Sequence, residues 1–273
     1  MLQRLQDLSR LDDADVYAFL QDHPLTGERI ADAEARGGNK PLPPDHDLMF
    51  WLMNARARAL TPESHDALLR AEKDFASRPA AFPAQQVAWA YGQAVLLQRL
   101  KRFDAASQTL ARAQIAADAF PAADRLPLDL LQAELLLDTQ AGPALEAVRK
   151  LRQQFPQSTA VLHLLSRCLL AQKDKAPARD FLRQQTIQHP LDITLWQDLA
   201  RADAATGALA SQHRATAEAY ALQGNTAAAI EQLHIAQRTP GADYFEASII
   251  DARLRTLQQQ QAQDKVIDKT LPQ

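Results

Sequence analysis

The chain has 273 residues and a net charge of −3, which argues against the basic surplus that nucleic-acid-binding proteins usually carry. Hydrophobic residues make up 47% of the sequence, aromatic residues only 6%, and there are 8 glycines. Alanine and leucine, both strong helix formers, supply most of the apolar share. These figures predict an all-α protein built as one or two domains or as one elongated array.

Cellular location follows from what the sequence lacks. No apolar stretch reaches the roughly 20 residues needed to cross a bilayer, and the opening MLQRLQDLSRLDD alternates polar with apolar residues instead of starting a signal sequence. If Met1 is the natural start, these features predict the cytoplasm. The single cysteine, Cys168, excludes an internal disulfide, and its apolar neighbours in VLHLLSRCLLA predict a buried thiol.

The first 40 residues are not repeat-like. An amphipathic helix, LQRLQDLSRL, precedes YAFLQDHPLTGERIADAEARG, in which Pro24 disfavours helical geometry at His23. Thr26 can then cap a new helix, which Gly37 and Gly38 end. The proline-rich NKPLPPD that follows predicts a stiff extended linker.

The first predicted helix pair comes directly after this linker. The helix DHDLMFWLMNARARAL places Phe50, Met53 and Ala57 along one face, and we expect Met49, Phe50 and Trp51 to pack in the core. The next helix, TPESHDALLRAEKDF, opens with Thr61 and Pro62, which predicts a cap and a first-turn residue.

Further helix pairs recur along the middle of the chain. Pro156 and Pro190 close two successive pairs and stand 34 positions apart, which is the period of tetratricopeptide repeats. A small residue recurs early in the second helix of four pairs, where a larger side chain would wedge the two helices apart. These small residues are Ala106, Ala144, Ala178 and Ala229.

The stretch from 196 to 239 shows the repeat signature best. Trp196, Leu199 and Ala200 have the spacing W-x2-L-small, and Gly207 ends that helix. The second half of the same pattern then follows, with Tyr220, Gly224, Ala229 and Ala236. We therefore predict a tetratricopeptide-like array of antiparallel helix pairs, forming a superhelical solenoid.

The predicted array occupies residues 41–258. Residues 1–40 form a separate segment with its linker, and residues 259–273 form a polar C-terminal tail after a capping helix.

A binding surface is predicted on the concave side of the array, which the first helix of each pair lines. Three arginines, Arg167, Arg201 and Arg214, give this groove a basic stripe, which favours an extended or helical protein segment whose carboxylates pair with them. Alternatively, the arginines are solvated or pair with neighbours such as Asp198 and Glu218. Alignment of the repeats predicts the groove residues Tyr91, Gln98, Asp129, His163, Arg167, Gln197, Arg201, Arg214 and Glu218.

Four stretches together resemble one protein family. DHPLTGERI, FWLMNARARAL, AEAYALQGNTAAAIEQL and YFEASIIDARLRTL are similar to the C-terminal region of bacterial HExxH zinc metallopeptidases of the beta-barrel assembly-enhancing protease type. In that family an HPL loop joins the protease to a helical repeat domain. The resemblance implies that residues 1–40 are a remnant of the end of the protease domain.

The resemblance also implies a function. The repeats would bind substrates or partners of an envelope metalloprotease in outer-membrane protein assembly or quality control. The partners would be assembly components or their substrates, the location would be the periplasm, and zinc would belong to the full-length protein.

The sequence departs from that family at the catalytic motif. The seven histidines include no HExxH, and catalytic zinc needs about three protein ligands with one open position. We expect that this chain alone is not the enzyme. It is the binding part of a longer protease, or else a stand-alone tetratricopeptide adaptor without a protease link. His23 matches the HPL-loop histidine, a metal ligand only beside a catalytic domain and otherwise an ordinary loop residue.

Overall fold

A computed structural model describes residues 47–270, with side chains described through residue 264. Residues 1–46 and 271–273, and with them His23 and the predicted protease remnant, lie outside the described residues. Twelve α-helices and one short 3-10 helix, Ala122–Arg125, occupy the described range, in which no strand occurs. The helices are α1 Leu48–Leu60, α2 His65–Ser77, α3 Pro83–Arg99, α4 Phe103–Ala117, α5 Leu126–Thr139, α6 Ala141–Gln154, α7 Thr159–Ala171, α8 Ala176–Gln188, α9 Ile193–Ala205, α10 Leu209–Leu222, α11 Thr226–Arg238 and α12 Tyr244–Thr270.

Side-chain caps define where several of these helices begin. Asp47, Ser64, Ser158, Asp192 and Asn225 each accept a hydrogen bond from a backbone N–H in the first turn of the helix that follows. Those N–H groups have no partner within the helix, so each cap satisfies a donor that would otherwise be lost. The sequence therefore specifies these helix starts locally.

The predicted cap of α2 is wrong. Ser64, and not Thr61, accepts from the N–H of Ala67 at 3.2 Å and begins the helix. Thr61 ends α1 instead, where its Oγ1 donates to the carbonyl of Ala57 at 2.9 Å. Ser64 lies directly before the helical run, whereas Thr61 and Pro62 form the connection between α1 and α2.

The helices form a two-row array in which each helix from α2 onward packs against the next helix in sequence, while α1 packs on α3. The row of first helices is continuous from α1 through α3, α5 and α7 to α9, because each of these helices also contacts the next one in the row. Antiparallel pairs stacked in this way form a helical solenoid, and the predicted fold class is confirmed. No helix among residues 47–270 has the length and apolarity to cross a membrane.

The register of the array shifts by half a repeat near its C-terminal end. Ala229 follows Ala178 by one and a half periods of 34 residues, and in the structure α10, rather than α9, contacts the helix two positions further on. Two ion pairs, Arg214–Glu246 and Glu218–Arg253, join α10 to α12. Helix α10 therefore serves as the second helix of α9 and as the first helix of α11.

The four alanines of the small-residue position are fully buried. Ala106, Ala144, Ala178 and Ala229 each have no exposed surface. They lie in the first turn of α4, α6, α8 and α11. This agrees with the predicted reason for their small size.

The expectation that the Phe50 face of α1 packs in the core is wrong, although Trp51 does pack against the core. Phe50 and Met53 are 48% and 41% exposed, while Leu48, Leu52, Ala55 and Ala59 are buried. Helix α1 is apolar on more than one side, so periodicity alone did not select the packed face. Of the face that was expected in the core, Met53 instead lines a cavity.

Cys168 is buried, as the sequence predicts, and this leads to a prediction about its reactivity. Burial raises the pKa of its thiol to about 11, against a smaller opposite effect of the Arg167 guanidinium. Since the thiolate is the reactive form, we expect alkylation of the native protein at pH 8 to be slower than that of the urea-unfolded chain by about a hundredfold or more. Mass spectrometry of samples quenched over time measures both rates, and equal rates would contradict this assignment.

Candidate protein-binding groove

A cavity of about 390 Å³ lies on the row of first helices. Four helices of this row contribute to it: α1, α3, α5 and α7. Its lining is mainly apolar, with charged side chains among it. The lining residues are Met49, Met53, Arg56, Tyr91, Leu126, Pro127, Leu130, Glu134, Ala160, His163, Leu164 and Arg167.

A polar network crosses this cavity from α1 to α7. Arg56 donates through Nη1 to the hydroxyl of Tyr91 at 2.9 Å and through Nη2 to Glu134 Oε1 at 3.4 Å. Arg167 approaches the same carboxylate oxygen at 3.5 Å. Burial raises the pKa of the Tyr91 phenol, so this hydroxyl stays neutral and can accept from Arg56. Glu134 thus lies between two guanidinium groups on separate helices.

His163 and Ser166 of α7 connect this side of the array to α9. His163 Nε2 lies 2.7 Å from Asp192 Oδ2, and Asp192 also caps α9. One turn further along α7, Ser166 donates to the buried carboxylate of Asp198 at 2.6 Å. The other oxygen of Asp198 lies 3.3 Å from Arg201, whose side chain is 74% exposed. These contacts fix the spacing between α7 and α9.

Two predicted groove residues have other surroundings. Gln98 donates to Asp138 at 2.8 Å and links α3 to α5 outside the cavity lining. Asp129 lines a separate cleft beside Gln114, Arg125 and the end of α6. Burial raises the pKa of the Asp129 carboxyl, while Arg125 and Gln114 act in the opposite direction.

The remaining predicted residues lie on α9 and α10. Gln197 is exposed on α9. Arg214 is largely buried and pairs with Glu246 at 2.6 Å, and Glu218 accepts a two-pronged hydrogen bond from Arg253. The structure therefore brings only Tyr91, His163 and Arg167 of the predicted set together in the cavity.

Sequence reasoning missed most of the cavity's residues. Arg56, Glu134 and the two methionines of α1 were not among the predicted groove residues. A partial signal existed for Glu134, because it is one of only three charged side chains in the apolar helix α5. The convergence of the cavity's residues depends on how four helices stack, which spacing within one helix does not reveal.

The described residues contain no metal-binding cluster. In the range 47–270 no group of three or more His, Cys, Asp or Glu side chains converges in a way that could hold an ion. The zinc that the resemblance implies for the full-length family has no counterpart in that part of the chain.

The fold defines a helical-repeat protein with a cavity on its row of first helices, and comparison with known families agrees with this fold. The tetratricopeptide repeat family matches residues 135–203. Residues 135–203 therefore resemble tetratricopeptide repeats within the larger helical array.

Relatives identify a more particular resemblance. The chain is 28% identical to the Beta-barrel assembly-enhancing protease of Yersinia pestis over 94% of its own length, and 28% identical to that of Escherichia coli K12 over 98%. It covers 51% and 54% of those proteins, so it spans about half the length of the curated relatives it matches. The resemblance predicted from DHPLTGERI and the repeat stretches is confirmed.

Proposed function

We propose that this chain is the substrate- or partner-binding repeat region of an envelope metalloprotease that acts in outer-membrane protein assembly or quality control. One observation carries the proposal. Nearly the whole chain aligns with relatives that are named as beta-barrel assembly-enhancing proteases, and it covers about half of their length. The cavity on the first-helix row supports it, because concave repeat surfaces commonly bind protein segments.

The groove is proposed to bind its partner through the exposed arginines. Arg167 and Arg201 form ion pairs within the chain, yet their side chains remain 49% and 74% exposed. A half-exposed guanidinium keeps donors for a second carboxylate. Arg214, which is only 13% exposed, is proposed to orient α12 through Glu246.

Charge reversal of these two arginines tests the groove. We expect the Arg167→Glu plus Arg201→Glu variant to bind a purified outer-membrane barrel polypeptide, diluted from urea, at least about tenfold more weakly than the wild type. The affinity can be measured by biolayer interferometry with the chain immobilised, and circular dichroism reports whether the helices remain intact.

The matched control reverses the charge of two exposed arginines on second helices, in the variant Arg70→Glu plus Arg149→Glu. This control changes the net charge equally and should leave the affinity unchanged. An equal loss of affinity in both double variants would show a general charge effect and would contradict the assignment of the groove as the binding site. No binding by the wild type would remove the proposed class of partner.

The link to a protease is tested at the level of the gene. We expect the natural reading frame upstream of residue 1 to encode an export signal and an HExxH helix. The histidines of that helix would supply zinc ligands, and the complete enzyme would work in the periplasm. Sequencing the genomic DNA upstream in the same frame decides this. An in-frame stop directly before Met1 would favour the stand-alone adaptor.

A further inference from the structure

The cavity on α1, α3, α5 and α7 combines an apolar wall with uneven charge. Its apolar side chains come from three of these helices, and two of them, Met49 and Met53, are flexible thioethers that adapt to different occupants. At about 390 Å³ it lies within the size range of ligand-binding clefts, large enough for a bulky apolar side chain.

The charges that line the cavity are two guanidinium groups and one carboxylate. Glu134 is 16% exposed and is shared by Arg56 and Arg167. Arg56 is also held by Tyr91, whereas the contact of Arg167 with Glu134, at 3.5 Å, is long for a hydrogen bond. Asp192 pairs with His163 and caps α9, so it does not balance Arg167. The cavity rim therefore has a positive charge to offer to a partner.

A second guanidinium lies on the next helix of the row. Ser166 of α7 and Asp198 of α9 are hydrogen-bonded, and Arg167 and Arg201 follow them closely on the same two helices. Packed helices lie about 10 Å apart, a distance that about three residues of extended chain span. A polypeptide can present carboxylates to both arginines, whereas a fatty acid has a single head group.

We propose that the groove binds an extended polypeptide segment with a bulky apolar side chain for the cavity, a carboxylate two residues later for Arg167, and a second carboxylate about three residues further on for Arg201. The inference rests on the proposed function and specifies the chemistry of the partner. Glu134 acts as a positioning residue that holds Arg56 and Arg167 at the rim.

The methionines of the chain provide a direct test. Met1, Met49 and Met53 are the only methionines in the sequence, and two of them line the cavity. In protein labelled with ¹³C at the methionine methyl groups, we expect the peptide GSFGEGSEGS, blocked at both ends, to shift the Met49 and Met53 signals saturably. Met49→Leu and Met53→Leu variants assign the signals.

Peptide and protein variants separate the apolar contact from the charged one. Replacing Phe with Ser, or both Glu with Gln, should weaken binding about tenfold or more. Arg167→Gln should reduce binding of the acidic peptide to the level at which the wild type binds the peptide with Gln in place of the first Glu only. The control Arg149→Gln, on α6 and also paired with a glutamate, should leave binding unchanged.

Three outcomes would overturn the inference: equal binding of the Glu and Gln peptides, no shift of either cavity methionine with any peptide, or decanoate shifting both signals at lower concentration than the peptide. If the barrel polypeptide still binds through Arg167 and Arg201, the proposed function survives that failure. If the peptides bind as expected but the barrel polypeptide does not bind, the result would support the proposed peptide chemistry of the groove and contradict the proposed function.

Discussion

Replacing Leu182 with alanine is expected to lower the free energy of unfolding by about 2–5 kcal/mol. Leu182 of α8 is fully buried. It packs in one cluster with Leu162 of α7, Leu195 and Leu199 of α9, and Ala215 of α10. Truncation removes apolar contacts from all of these helices and leaves a cavity that rigid helix backbones close only partly.

The position of this cluster makes the effect large. It joins the regular part of the array to α10, where the register shifts by half a repeat, and a solenoid is stabilised only by contacts between neighbours. Urea titration followed by circular dichroism measures the loss. Leu191→Ala is the matched control, because Leu191 is 79% exposed and its truncation should change stability by no more than about 0.5 kcal/mol. Equal losses in the two variants would contradict this packing.

Replacing Gly92 with alanine is expected to destabilise the protein by about 1–3 kcal/mol. A Cβ at this position of α3 would lie 2.9 Å from Cζ of Phe75 and closer still to two other atoms of that ring. The ring cannot easily retreat, because it is buried and packs edge-on against Trp89 with centroids 5.9 Å apart. Arg78 also stacks over both rings.

Gly142→Ala is the control for the same chemical change. A Cβ at Gly142 of α6 would meet nothing within 4 Å, so the higher helix propensity of alanine should stabilise the protein by about 0.5–1 kcal/mol. The two substitutions should therefore shift the thermal midpoint in opposite directions. If both stabilised the protein, the close approach of α2 to α3 at Gly92 would be disproved.

Local features of the sequence predicted the helices and the class of the fold. Caps such as Ser158 and Asp192 lie directly before apolar runs, and Gly207 and Gly224 end helices with positive φ of 78° and 77°, which an L side chain rarely adopts. Because these preferences act within a few residues, they can be read without knowing what packs against the helix. The buried alanines were equally predictable, because each lies at the same place early in its helix.

The packed face of α1 and the make-up of the groove were not predictable in this way. Leu52 and Met53 are adjacent apolar residues, yet only Leu52 is buried. Which of them faces the core depends on where α3 lies. Likewise, Arg56, Glu134 and Arg167 come from α1, α5 and α7 and lie far apart in sequence.

The sequence by itself determined an all-helical tetratricopeptide array and its resemblance to the repeat part of barrel assembly-enhancing proteases, because both depend on local preferences and short motifs. Only the tertiary structure decided the half-repeat shift at α10 and the cavity where Glu134 lies between two arginines. The physical reason is that burial and charge pairing depend on the distances between stacked helices, and these distances come from the packing of many side chains together.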